Sequence, residues 1–245
     1  MWVIIKKIAT LVLIIVFILA SIFFLYGCNS FSNKQESYDP IINPSDFTKE
    51  INNRYFTLPT GKTFIYKGET DEGIEHMEVV ALNEVKVVVE VECRVVLDKV
   101  WSNDELIEET RDFYAQDKDG NVWYFGEESK TLEDGVVVST EGSWEAGVDG
   151  AKPGIVMLAN LKVGTEYRQE YYKGEAEDMG KVEALSEKVE TPYGEFENCL
   201  QTKDWTPLEE NSDEYKYYSS EVGNLVQEFS IYSKEIISLI EIKTE

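Results

Sequence analysis

Residues 86–100 read KVVVEVECRVVLDKV, and the alternation in this stretch decides the fold class. Val87, Val89, Val91, Cys93, Val95 and Leu97 fall on one face, while Glu90, Glu92, Arg94 and Asp98 fall on the other. A period of two in a run dense with β-branched residues predicts a long strand with one wet side. Upstream, Thr63 to Lys67 and Glu75 to Leu82 read as strands joined by a Gly- and acid-rich turn from Gly68 to Gly73. Downstream, Ser102-Asn103-Asp104 turns the chain into Leu106 to Gln116, and Asp117-Lys118-Asp119-Gly120-Asn121 turns it into Val122 to Gly126. Val122 with Tyr124 faces one way and Trp123 with Phe125 the other, so that strand is apolar on both sides and belongs inside a sheet. No segment after residue 26 carries a sustained helical period with caps. The chain beyond that point is expected to be all-β.

The tetrapeptide YKGE occurs at Tyr66–Glu69 and again at Tyr172–Glu175. The same shift, about 106 residues, superposes Glu84 on Glu190, Cys93 on Cys199 and Asp98 on Asp204. With small gaps, Phe113-Tyr114 lies over Tyr217-Tyr218. The expectation is two tandem antiparallel meander repeats forming one curved sheet, half-barrel or sandwich, each YKGE marking a strand end and its turn. The organisation read from the chain is a signal peptide or membrane anchor over 1–27, a flexible tether over 28–54, and a first repeat over 55–126. An inter-repeat hairpin with a Gly-rich loop follows over 127–160, then a second repeat with C-terminal strands over 161–245.

Residues 8–26 carry no charge and no proline and follow Lys6-Lys7, the pattern of an export signal, and the run is also close to membrane-spanning length. Leu25-Tyr26-Gly27-Cys28 resembles a lipoprotein signal in which Cys28 receives lipid; the alternative is an uncleaved single-pass anchor. Either way the remainder lies on the extracytoplasmic side of a cell membrane or envelope.

The full chain has a net charge of −24. Removing 1–27 takes away two lysines and leaves 47 acidic residues against 21 basic ones. Such a surface excludes nucleic acid as a partner and favours cations or a basic protein partner. Cys93 and Cys199 remain as a pair that either bridges in an oxidising compartment or fills two separate core positions.

Few residues point to chemistry. His76 is the only histidine and has no signalled triad or metal partner. Asp117, Asp119 and Asn121 begin like a calcium loop, but Val122 stands where such a loop needs Gly, so a hairpin turn is the expectation and weak Ca²⁺ binding the alternative. Trp101, Trp123, Trp144, Trp205, Tyr215, Tyr217 and Tyr218 suit either core packing or the lining of a ligand site. The Gly-rich segment 142–154 has no counterpart in the repeats and carries Trp144, Glu145, Asp149 and Lys152, the candidate ligand-binding residues. No catalytic residue stands out.

The runs DGNVWYFGEE (119–128), EGSWEAGVDGAKPG (141–154) and YRQEYYKGEAEDMG (167–180) resemble an uncharacterised family of exported bacterial proteins and lipoproteins. The resemblance implies a lipid-anchored, β-rich exported protein and carries no activity. Three functions stay open: a non-enzymatic envelope lipoprotein binding a ligand or partner, including an apolar small molecule in a concave face; a hydrolase using paired carboxylates; and an interaction protein with an acidic surface.

Overall fold

The computed structural model describes residues 38–71 and 73–244; Cys28 and the hydrophobic run lie outside the described residues. Twelve main strands follow in chain order: β1 (Lys62–Thr70), β2 (Gly73–Val88), β3 (Val91–Ser102), β4 (Glu105–Asp117), β5 (Val122–Glu133), β6 (Lys152–Met157), β7 (Glu166–Arg168), β8 (Met179–Thr191), β9 (Gly194–Trp205), β10 (Glu214–Ser219), β11 (Asn224–Ser230) and β12 (Ile236–Thr244). Among the described residues there is no α-helix. Pairing is antiparallel, and β12 returns to β1, with Thr244 opposite Lys62 and Ile236 opposite Glu69.

Residues 166–171 join the two ends of this sheet. Tyr167 of β7 pairs with Gly180 of β8, while Glu170 and Tyr171 pair on the other side with Pro153 and Lys152 of β6. The result is a nearly closed barrel, which leaves little unpaired strand edge.

The founding stretch does not run as one strand. Val89 and Glu90 both take positive φ, +43° and +67°, and form the two-residue turn between β2 and β3. That handedness matches the strand twist, and it is unusual for a β-branched residue. Beyond the turn the alternation holds: Val91, Cys93 and Val95 are buried on one side, while Arg94 and Val96 are buried on the other. Both faces are covered from Cys93 to Val96, and Glu92 next to the turn is exposed.

YKGE also departs from expectation in its first occurrence. Gly68 lies inside β1, opposite Glu75 and Ile237, and a Cβ there would come within 2.2 Å of the Ile236 carbonyl oxygen. Glycine is needed for the close approach of β12, not for a turn. In the second occurrence Gly174 does sit in a turn, at φ +80°.

The outer faces of β3, β4 and β5 are roofed. Cys93, Val95, Phe113 and Phe125 pack under Ile42 and Phe47 from one segment and Trp144, Ala146 and Ala151 from another. Burying each such phenylalanine contributes about 1.5–3 kcal/mol. The folded part therefore begins upstream of the expected Tyr55 boundary. Phe47 pairs with Asp117, Ile51 and Asn53 are buried, the Tyr38 hydroxyl donates to the Pro153 carbonyl at 2.8 Å, and Lys152 meets Asp39 at 2.6 Å.

Residues 51–58 then turn inward. Ile51, Tyr55 and Leu58 pack on inward-facing Val96, Val122, Leu200 and Tyr218. Gln116 fixes this segment by accepting from the backbone N–H of Asn52 and Asn53, both at 2.9 Å. One end of the barrel is thereby filled with apolar side chains.

Candidate functional site in the barrel interior

Above that apolar floor the interior is not filled. Two adjoining lobes, each of about 200 Å³, share Phe56, Tyr114, Lys216 and Tyr218 as walls. The first is lined by Met77, Val79, Val96, Asp98, Asp112 and Glu228, among others; the second by Tyr124, Gln169, Glu170, Asp178 and Asp204. Strand alternation delivers these groups from both halves of the chain. Asp112 sits opposite Val96, Asp204 opposite Glu214, and Lys216 opposite Glu228.

A bulge adds one more acid. Tyr114 pairs with Tyr124 and Asp112 with Glu127, so β5 spends an extra residue there, and Gly126 takes φ +139°. Strict alternation from Tyr124 would turn Glu127 outward; the bulge returns it to the side of Asp112. A side chain on Gly126 would come within 2.4 Å of the Trp144 carbonyl oxygen.

The electrostatics are lopsided. Among the described residues Lys216 is the only cation lining the cavity, with Nζ at 2.7 Å from Glu214, 3.7 Å from Glu228 and 3.8 Å from Asp204. Its side chain keeps 27 % of its surface, and that surface faces the cavity. Burial opposes its charge, yet Glu214, Glu228 and Asp204 outweigh burial and hold its pKa well above the ordinary value. Burial likewise works against ionising Glu214, but Lys216 and a hydrogen bond with Glu228 keep its carboxyl below the usual range. Glu228 carries the counterpart: burial first, then the neighbouring acids, push it up to about 8 against the pull of Lys216.

On the opposite wall no lysine or arginine reaches Asp98 or Asp112 within ion-pair distance among the described residues. Burial pushes Asp112 up to about 7, although the Tyr124 hydroxyl donates to its Oδ1 at 2.7 Å. Burial, then Asp112 and Glu108, raise Asp98 well above the carboxylate range. Glu127 reaches about 9 and Glu170 about 8, burial again leading in both. Asp98 Oδ1 and Asp204 Oδ1 are buried without a hydrogen-bond partner, Asp204 being only 4 % exposed. Asp204 Oδ2, in contrast, accepts from Gln169 Nε2 at 3.0 Å. The aromatic wall is ordered: Tyr114 stacks on Tyr124 with centroids 4.9 Å apart, and Phe56 meets Tyr114 edge-on at 5.4 Å. Such an interior can hold positive charge against carboxylates and an apolar body against rings.

The residues singled out in the sequence lie mostly elsewhere. Trp144 is buried and packs edge-on against Tyr124 at 5.3 Å, behind the cavity wall. Glu145 pairs outside with Lys86 at 3.1 Å, Asp149 is exposed in a turn at φ +48°, and Lys152 is held by Asp39. These four do not converge on one point. Asp117 has both oxygens occupied: Oδ1 accepts from the N–H of Asp119 and Asn121 at 2.9 Å, Oδ2 from Asn121 Nδ2 and Trp123 Nε1 at 2.8 Å. No group of three or more metal-binding side chains occurs among the described residues. Cys93 and Cys199 are free buried thiols in separate clusters, so the disulfide is not formed. His76 sits 3.3 Å from Glu78 and edge-on to Trp101 at 5.1 Å.

Asp98, Asp112, Asp204, Lys216 and Glu228 were not singled out as a site in the sequence. A signal for two of them was present, because Asp98 and Asp204 superpose under the shift that also matches Tyr114 to Tyr218 within its gaps. No family model matches the chain, and no curated protein or solved structure matches it either.

Proposed function

We propose that the protein is a non-enzymatic envelope lipoprotein, anchored through Cys28 or an uncleaved N-terminal span, that binds a small ligand inside its barrel. The carrying observation is the open interior lined by Asp98 and Asp204, each of which also keeps one buried oxygen, Oδ1, without a hydrogen-bond partner. Buried polar atoms without partners are costly, and a site that awaits a ligand accounts for that cost. Each lobe, at about 200 Å³, lies below the roughly 300–1,000 Å³ of drug-sized ligand sites, so a ligand held in one lobe is a small molecule. A duplicated unit accounts for the matched positions of Asp98 and Asp204 on opposite halves of the chain. The acids and rings in the cavity argue against the purely apolar ligand considered from sequence.

Native mass spectrometry of gently purified protein tests this reading, together with the Met77 methyl signal as small molecules are added. A bound small molecule, or a probe that moves that signal, is expected. A bare protein whose Met77 signal responds to no probe of any charge would refute it. The anchor is tested separately: labelled fatty acid is expected on the wild type and not on Cys28→Ser.

The hydrolytic alternative keeps one observation, the Glu214–Glu228 pair with divergent protonation, which is how an acid and a base are separated in a site. Turnover of glycoside or ester probes that disappeared in a folded Glu228→Gln variant would replace the binding reading.

A further inference from the structure

We infer that the ligand is a small organic amine, its ammonium held by Asp98 with Asp112 and its apolar body lying against Phe56, Met77 and Val79. The inference rests on the cavity-binding reading and names the ligand class. Three observations converge on it. Asp98 lines the cavity, has no ion-pair partner among the described residues, and keeps a buried Oδ1 without a hydrogen bond. The one cation in the cavity is committed elsewhere, with its shortest contact 2.7 Å to Glu214 and further contacts to Glu228 and Asp204. Apolar and aromatic side chains, Phe56, Met77, Val79 and Leu225, line that lobe together with the two aspartates, and Asn224, Lys216 and Glu228 complete it.

Charge chemistry ranks the alternatives below an amine. An anion would oppose the ionisation of Asp98, Asp112 and Glu228, and its own counter-charge would be Lys216, already paired with Glu214. A neutral molecule could exchange a hydrogen bond with protonated Asp98 but brings no charge to stabilise its carboxylate. An alkyl- or arylammonium supplies donors to the carboxylates and a body the rings can cover. It would also replace the protons that burial keeps on these acids, so binding near neutral pH should release protons.

The experiment uses the exported chain and three probes of one size: benzylamine, benzyl alcohol and benzoate. Calorimetry at pH 6.5 in two buffers of different ionisation enthalpy reads both affinity and proton release, and the Met77 methyl signal reports occupancy. Benzylamine is expected to bind at least tenfold more tightly than benzyl alcohol, to release protons, and to lose at least tenfold in affinity in Asp98→Asn. Benzyl alcohol or benzoate binding as tightly as benzylamine would overturn the amine assignment while leaving the cavity reading intact. Silence of Met77 toward all three, with no co-purifying molecule, would instead sink the cavity reading itself. Should Asp98→Asn not fold, proton release in the wild type decides alone: its absence on benzylamine binding would overturn the assignment.

Discussion

The two walls of the cavity carry similar acids and solve different problems. On the β9–β11 side, Asp204, Glu214 and Glu228 surround Lys216, so charge is balanced within the protein. On the β3–β4 side, Asp98 and Asp112 have no ion-pair partner among the described residues, and only the more distant charge of Lys216 acts on Asp98. The first wall reads as structure and the second as a vacancy for charge. A buried ion pair is weak proof of stability, but removing one partner is severe. That asymmetry makes the difference between the walls measurable.

The largest expected change comes from pH, because several interior acids titrate together. A carboxyl whose pKa is higher in the fold than in the unfolded chain keeps a proton that the unfolded chain has already released, so stability falls as pH rises between the two values. Asp112 at about 7, Glu170 and Glu228 at about 8, and Glu127 at about 9 therefore weaken the fold from about pH 4, where unfolded carboxyls titrate, up to about pH 9. Glu214, lowered, acts oppositely: its contribution is present above the unfolded value and lost as acid titrates it. Lys216, raised, contributes at all lower pH and fails only in strong alkali. Urea midpoints are thus expected to be higher at pH 5 than at pH 9; the reverse order would contradict the buried interior.

The next largest effect should be Lys216→Met. Taking the cation from Asp204, Glu214 and Glu228 leaves three buried acids to repel one another, an expected loss of about 3–5 kcal/mol. Urea unfolding at pH 7 measures it, and a loss near zero would mean that the wall balances itself by protonation alone. Asp98→Asn on the other wall should move the opposite way, gaining about 0.5–2 kcal/mol without ligand, because a buried and unpaired acid is replaced by a neutral isostere. A destabilised Asp98→Asn would place an unseen cation or donor on that wall. The smallest effect belongs to the outer surface. Lys188 bridges Glu197 at 2.8 Å and Glu195 at 3.8 Å in full solvent, so Lys188→Gln should leave the urea midpoint unchanged.

Much of the barrel was legible from period and turn chemistry. Val122–Phe125, apolar on both sides, does lie within the sheet, between β4 and β6. Asn103-Asp104 turns β3 into β4 with positive φ at both residues, as their short polar side chains allow. The turn at Val89–Glu90 was hidden because the alternation of valines runs straight through it and β-branched residues rarely take that conformation. Gly68 misled in the opposite direction, since a glycine needed for close approach and one needed for a turn look alike in sequence.

The cavity was hidden for a different reason. Asp98 alternates with apolar neighbours just as the exposed Glu90 and Glu92 do, and a period of two separates faces without saying whether the polar face meets bulk solvent or an enclosed space. Only closure of the sheet makes that distinction. It comes from residues 166–171, whose short length and mixed character gave no strand signal.

That closure has a mechanical consequence. Tyr38 and Asp39 are clipped to Pro153 and Lys152, the residues that pair with Glu170 and Tyr171 to shut the barrel. Tension applied through the chain upstream of Tyr38 is therefore delivered to the sheet at its two-residue join, beside Glu170, before it reaches any of the long hairpins. Load on the N-terminal segment thus bears directly on this join and on Glu170, which lines the cavity.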